Sequence, residues 1–381
     1  MSMDRLDERK CGLVWLAYAV MSLVDGIGVL SDRTNQTSIS SSLFFLWFAL
    51  CPLPVAVLCA RQGALRVLSA AMAVAVAACV CLGLGGRCAA LSAAGFALAG
   101  LSNVALQVSV PVFVGEWSSP ARLAGIVTGG LFVRTVVAVA FPFIVTFAAS
   151  RCRWQLALAP FVVLACLSLA LVHSFRREAV ATSVARTSVL PALRRVGTDA
   201  LVVGSVLAFA VAIIADVVFN LSVPSIIVRR FGGGGMSVGV VYAVWFGVKL
   251  PLMLLGSRIF LRYEAQRFFG VAILVATVGA AIMCLSGRWG VFLLGVGLFA
   301  AGFANVYGHV FGAAAPQHPD DCPAVSMLLV MAISAGALAS PLLTAAGALG
   351  SRAPEGLVLA LTAVVLPLAA FLSFRRGRLE T

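Results

Sequence analysis

The sequence predicts an all-α membrane protein whose twelve transmembrane helices form two pseudo-symmetric six-helix bundles. Three observations carry this prediction: 62% of the 381 residues are apolar, only 11% are charged, and the apolar residues occur in long runs. A soluble domain is about half apolar and a quarter charged, because polar groups must cover its surface. Lipid is therefore the predicted solvent for most of this chain.

Twelve apolar segments remain when the chain is divided at charged and turn residues. A helix needs about 20 apolar residues to cross the hydrocarbon core, and these runs do not alternate in hydropathy as the strands of a membrane β-barrel do. Most connections are shorter than about ten residues, which predicts antiparallel neighbours. The predicted spans 1 to 12 cover approximately residues 11–31, 41–60, 67–86, 88–114, 123–149, 154–173, 201–228, 237–260, 268–286, 289–315, 323–347 and 356–374.

The net charge of +13 reflects loops beside a membrane. The basic residues lie in short clusters between the spans and form no basic helix with interleaved aromatic residues, so no nucleic-acid partner is predicted. If both termini lie on one side, that side carries seventeen Lys and Arg residues and the opposite side eight. This asymmetry predicts a multi-pass protein of the cytoplasmic (inner) membrane with both termini in the cytoplasm.

The longest polar connection divides the chain into two halves. It predicts an N-terminal six-helix bundle over residues 1–173, a basic cytoplasmic linker over 174–200, and a C-terminal six-helix bundle over 201–381. An internal repeat agrees with this division, because Ala99–Val108 in span 4 and Ala301–Val310 in span 10 are identical at five of ten positions. Such a repeat is typical of duplicated transporters.

Four charged residues lie inside the predicted spans, namely Asp25, Arg134, Asp216 and Lys249. An ionised group in hydrocarbon costs from about 2.5 to more than 10 kcal/mol, so each must face a partner or a wet cavity. One interpretation is two structural ion pairs that join helices. The other is a central aqueous cavity in which the carboxylates bind protons or substrate and the cations bind anions or balance the acids.

Amide and imidazole side chains favour the second interpretation. Asn103 and Gln107 lie four residues apart and therefore on one face of span 4. Asn305 and His309 repeat that spacing in span 10, and Asn220 lies one turn beyond Asp216 in span 7. The sequence contains no phosphate-binding loop, metal-ligand cluster or nucleophile elbow, so no catalytic residue, metal ion or cofactor is predicted and an enzyme is not expected.

The organisation and several segments together resemble the major facilitator superfamily, in particular its branch of fucose/proton symporters and related bacterial sugar permeases. Phe132-Val133-Arg134 is similar to an element of helix 5 in that branch. The loop after span 2 lacks the Asp of the superfamily's gating signature, and Pro111 stands where the branch has Asn. The other similar segments are S-L-V-D-G-I-G-V around Asp25, Phe45–Gly63, Gly100–Pro111 and Gly302–Ala314.

The resemblance implies a secondary active transporter, expected to be a proton-coupled symporter that works by alternating access. Its partners would be protons, the lipid bilayer and a small hydrophilic solute, with a monosaccharide favoured, and the protein is expected to be a monomer. Asp25 and Asp216 would couple protons. The expected substrate-binding residues are Asn103, Gln107, Arg134, Asn220, Lys249, Asn305 and His309.

Two other functions remain open. An organic-anion or sugar-phosphate carrier would use Arg134 and Lys249 together to bind a carboxylate or phosphate. A membrane sensor or scaffold built on a transporter fold would act through the basic linker without moving a solute. Fold alone does not decide between these functions.

Overall fold

A computed structural model describes residues 5–25, 47, 50–85, 88–118, 120–151, 154–179, 189–233, 235–347 and 353–374. Every regular element in these ranges is helical. The α-helices are α1 (Arg5–Asp25), α2 (Pro52–Gln62), α3 (Ala64–Leu84), α4 (Ala89–Trp117), α5 (Pro120–Arg151), α6 (Ala159–Ala179), α7 (Val189–Val196), α8 (Ala200–Phe231), α9 (Gly235–Ile259), α10 (Phe269–Leu285), α11 (Trp289–Phe303), α12 (Val306–Ala314), α13 (Cys322–Gly347) and α14 (Ala353–Phe374).

Within the described residues, eight helical segments are long and apolar enough to cross a membrane. The chain is accordingly a multi-pass membrane protein. The predicted spans agree with the helices to within a few residues wherever both ends are described, because the apolar runs set the helix lengths. Most of span 2 and the end of span 1 lie outside the described residues.

The sequence did not predict two local features. Span 10 is divided into α11 and α12 by a non-helical turn at Ala304 and Asn305. The linker contains the short helix α7, and Asp199 caps the next helix, because its carboxylate accepts a hydrogen bond from the N–H of Leu201 at 2.7 Å. Asp is favoured at this position since its side chain satisfies an amide left without a helical partner.

The chain divides into two compact units. Unit 1 comprises Met1–Ser119, Gly129–Arg194 and Asp320–Met331, and unit 2 comprises Pro120–Thr128, Arg195–Pro319 and Ala332–Thr381. One passage between them, at residues 194 and 195, lies inside the predicted linker. The domain boundaries proposed from the sequence remain a prediction.

Corresponding pairs of helices pack against each other within each of the two units. In unit 1, α3 packs against α4 and α6, and α1 packs against α4 and α6. In unit 2, α10 packs against α11 and α14, and α8 packs against α12 and α14. This correspondence has the order expected if the second half of the chain repeats the first.

Small residues allow the closest helix contacts. A Cβ added to Gly295 of α11 would lie 2.8 Å from the carbonyl oxygen of Gly279 in α10, and one added to Gly279 would lie 2.7 Å from the carbonyl oxygen of Gly295. Membrane helices pack through such positions because lipid supplies no hydrophobic drive for association. The two glycines therefore allow α10 and α11 to approach each other closely.

Candidate functional site

Two of the charged residues predicted inside the membrane contact each other in unit 2. The ammonium Nζ of Lys249 in α9 lies 3.6 Å from Oδ1 of Asp216 in α8, and their side chains are 17% and 23% exposed. At 1.5 Å per residue, Lys249 is at least ~15 Å and Asp216 ~22 Å from the ends of their helices. The pair therefore lies far from the ends of both apolar helices.

An aromatic ring supports the lysine. The Lys249 ammonium lies 4.8 Å from the ring centroid of Trp245, one turn earlier in α9. Trp245 is only 1% exposed and packs against Phe219 and Phe299. A cation over a buried indole face is stabilised electrostatically, so Trp245 fixes one side of the ammonium and leaves the other for Asp216 or a ligand.

Asn220 and Tyr242 connect α8 to α9 beside this pair. Pro224 has no N–H, so the carbonyl of Asn220, four residues earlier, lacks its usual helical partner. The Tyr242 hydroxyl donates to that carbonyl at 2.9 Å, and the Asn220 amide donates to the backbone carbonyl of Asp216 at 2.7 Å. We call Asp216, Asn220, Tyr242, Trp245 and Lys249 the α8–α9 polar cluster.

Unit 1 contains a second polar group on α4. The Gln107 amide donates to Oδ1 of Asn103 at 3.5 Å, while Nδ2 of Asn103 and Oε1 of Gln107 are buried without a hydrogen-bond partner among the described residues. Pro111 in the same helix frees the carbonyl of Gln107 from helical bonding. Asn103 also lines a cavity of ≈ 10 Å³ with Ser102 and apolar residues of α1 and α3, which has room for about one water molecule.

Arg134 lies in unit 1 near the tyrosine of α1. Arg134 lies one turn after Gly130 in α5, and Tyr18 packs over Gly130, where an added Cβ would lie 2.0 Å from the tyrosine ring. Asp25 is the last residue of α1; its side chain lies outside the described residues. Its predicted pairing and proton-coupling role therefore remain predictions.

Asn305 and His309 both lie beside the C-terminal end of α9. The Asn305 amide donates to the backbone carbonyl of Leu252 in α9 at 3.0 Å, and Gly256 leaves space for it. His309 is buried and contacts the rings of Phe260 and Phe269 at 5.0 and 5.5 Å. Leu252, Gly256 and Phe260 follow one another at one-turn intervals, so both side chains contact the same part of the chain.

Tyr242 and Trp245 are the residues that the sequence reasoning missed. Both lie on the same face of α9 as Lys249, two turns and one turn before it, and this spacing is visible in the sequence. No group of three possible metal-ligating side chains occurs within the ranges that the structure describes.

Comparison with solved structures identifies the fold. The chain superposes on the E. coli fucose:proton symporter FucP with a TM-score of 0.81, at 15% identity, over 96% of this chain and 98% of that one. It superposes on the proton:xylose symporter XylE with a TM-score of 0.72, at 11% identity, over 96% and 93% of the two chains. A human organic anion transporter, TETRAN, gives 0.72 at 12% identity over 95% and 99%.

These similarities show that the chain has the major facilitator fold, as predicted. No protein-family model matches the sequence. No curated protein matches it either.

Proposed function

We propose that this chain, a multi-pass membrane protein with the major facilitator fold, is a secondary active transporter that couples proton movement to the movement of a small hydrophilic solute. The observation that carries the proposal is the Asp216–Lys249 pair, which two apolar helices hold far from their ends. Ionisable groups at such depth are costly and mark ion or substrate pathways. Transport would proceed by alternating access, in which one site opens to each side of the membrane in turn.

A monosaccharide is the favoured solute. The similar structures named above include a fucose:proton and a proton:xylose symporter. The unpartnered amide groups of Asn103 and Gln107 supply a donor and an acceptor, which suit the hydroxyl groups of a sugar. We propose Asn220, Asn305 and His309 as further binding residues, with Asp25 and Asp216 as proton carriers.

An organic-anion carrier is the second candidate. Lys249 and Arg134 provide positive charge inside predicted spans, and a human organic anion transporter shares the fold. In this function each of these cations is a candidate to bind the anionic group of the solute. A sensor or scaffold that binds solute without moving it is the alternative outside transport.

Several properties follow from the proposal and from the charge asymmetry of the loops. We propose that the protein resides in the inner membrane, with both termini in the cytoplasm, and works as a monomer without a cofactor or catalytic activity.

Reconstituted liposomes test the proposal. With the interior alkaline, wild-type protein should accumulate at least one of radiolabelled L-fucose, D-xylose and D-glucuronate above its external concentration, and collapse of the pH gradient should release the excess. Asp25→Asn and Asp216→Asn should lose accumulation but keep exchange of solute, because a carboxamide cannot carry a proton. Glu264→Gln, which changes a carboxylate outside the membrane-spanning helices, is the matched control and should accumulate normally.

Binding without accumulation or exchange of any solute would favour the sensor instead. Accumulation that is equal with and without the gradient would exclude proton coupling.

A further inference from the structure

In the part of unit 2 that the structure describes, two ion pairs join helices, and they are built differently. Arg230 of α8 contacts Glu355 of α14, with side chains only 8% and 1% exposed. Arg230 also donates to the carbonyls of Met283, at 2.9 Å, and of Ser286 at the end of α10. Three acceptors surround one guanidinium, as expected of a pair that locks helices together.

The Asp216–Lys249 pair has none of this support. Its 3.6 Å separation exceeds a hydrogen bond. Among the described residues, Oδ1 of Asp216 is buried without accepting a hydrogen bond, and so is Oε2 of Glu355, although Oε1 of Glu355 accepts one from Arg230. Among the described residues, Lys249 donates no hydrogen bond, and its other contact is the Trp245 ring. At this geometry the attraction between the two charges does not offset the free energy lost when both leave water. A stabilising role alone therefore does not account for this pair.

The other titratable groups on elements packed against α8 are engaged elsewhere. The sequence of α11 contains none, and Glu355 of α14 contacts Arg230. Tyr307 of α12 packs on Phe209. His309 contacts two phenyl rings, and on α9 the Tyr242 hydroxyl donates to the Asn220 carbonyl. Arg229 and Arg258 lie near the ends of α8 and α9, thirteen residues from Asp216 and nine from Lys249. Among the described residues of unit 2, Lys249 is therefore the cation beside Asp216.

We propose that Lys249 binds a carboxylate of the transported solute and that Asp216 releases Lys249 by taking a proton. This inference rests on the proposed transport function and refines its solute to a monosaccharide that carries one carboxylate, a sugar acid. The proton adds to the Asp216 carboxylate from the water on the side of higher proton concentration. The lysine stays protonated, and the solute carboxylate takes the place of Asp216 beside it.

Charge conservation in the cluster selects the solute class. Before binding, one carboxylate and one ammonium sum to zero, and after binding, the neutral acid, the ammonium and one solute carboxylate again sum to zero. A neutral sugar that bound beside the intact ion pair would take up no proton. Bound together with a proton on Asp216, a neutral sugar would leave the ammonium without a counter-charge, and a dianion would leave one excess negative charge. Both states are costly at low dielectric. One proton therefore accompanies each monoanion.

Three solutes with one carbon skeleton test this inference: D-glucose, D-glucuronate and D-glucarate carry no, one and two carboxylates. Thermal unfolding of the purified full chain is measured with each solute at pH 5.5 and 7.5. D-Glucuronate should raise the unfolding temperature more than the other two solutes. The apparent Kd of D-glucuronate should be higher at pH 7.5 than at pH 5.5, by at most about tenfold per pH unit, because one proton is taken up with each solute molecule.

Four variants separate binding from folding. Asp216→Asn, which mimics the protonated acid, should bind D-glucuronate equally at both pH values, whereas Lys249→Gln should not bind it and Lys249→Arg should retain binding. The double variant Asp216→Asn with Lys249→Gln restores neutrality, so it should fold stably and still fail to bind. Glu264→Gln is the control in an exposed part of unit 2 and should behave as wild type.

Equal stabilisation by D-glucose and D-glucuronate, no stabilisation by D-glucuronate at pH 5.5, or retained pH dependence in Asp216→Asn would overturn the inference.

Solute uptake distinguishes this failure from failure of the transport proposal. If liposomes accumulate a neutral sugar with protons while D-glucuronate neither binds nor moves, transport stands and the sugar-acid inference falls. If D-glucuronate binds as described but no solute crosses the membrane, the site stands and the transport proposal falls.

Discussion

Arg230 illustrates how a single side chain joins three helices. Its guanidinium satisfies two carbonyls at the end of α10 and contacts Glu355 in the first turn of α14. The last carbonyls of a helix lack partners within the helix, and a carboxylate is favourable in a first turn. The residue therefore supports the ends of two helices in addition to its own.

Glu355→Gln should destabilise the protein strongly, by about 3 kcal/mol, because it leaves a buried guanidinium without its counter-charge. Glu264→Gln, which breaks the exposed pair with Arg267, should cost no more than ~1 kcal/mol. Unfolding of both variants in detergent provides the measurement. Equal stability of the two variants would show that Arg230 does not need its carboxylate partner.

At the scale of the element, the α10–α11 pair depends on the absence of a side chain at Gly295. An added Cβ would meet backbone atoms of Gly279 and Met283 at 2.8 and 2.9 Å, which cannot move as a flexible side chain can. The two helices must then separate, and their contacts loosen along the whole interface.

Gly295→Ala should therefore destabilise the protein by about 1–3 kcal/mol, as overpacking does in well-packed cores. Gly290→Ala, in the first turn of the same helix, is the matched control, since nothing lies within 4 Å of an added Cβ there. Alanine has the higher helix propensity, so the control should be neutral or slightly stabilised. A stable Gly295→Ala variant would contradict the close contact described here.

The break between α11 and α12 is a feature of span 10 that could not be predicted from the sequence. The apolar run of span 10 continues through Ala304 and Asn305, and neither residue prevents a helix on its own. The break coincides with a contact to another helix, in which Asn305 donates a hydrogen bond to the carbonyl of Leu252. The hydropathy and residue spacing of span 10 do not identify Leu252 as the partner of Asn305.

At the scale of the whole molecule, the fold could be predicted because the bilayer permits few solutions. Backbone groups in lipid must be satisfied internally, so long apolar runs become helices whose number and length can be read from the sequence. The candidate site was predicted only in part. Asp216 and Lys249 stand out as charges in lipid, but their contact depends on how α8 and α9 are rotated about their axes.

Residues without a charge were harder to identify. Trp245 and Tyr242 belong to the α8–α9 polar cluster through a ring and a hydroxyl group, which are common in membrane helices. His309 stood out in the sequence, yet its described ring contacts are with Phe260 and Phe269. Which polar side chains meet is determined by packing between helices that are distant in sequence.

Proton movement that accompanies the solute is the most direct test of the account. Liposomes containing the protein, with equal pH on both sides and weak external buffer, receive L-fucose, D-xylose or D-glucuronate while the external pH is recorded. One of these solutes should enter and make the external medium alkaline, and Asp216→Asn should remove the pH change. Entry of a solute into wild-type liposomes with no change in external pH would contradict proton-coupled transport.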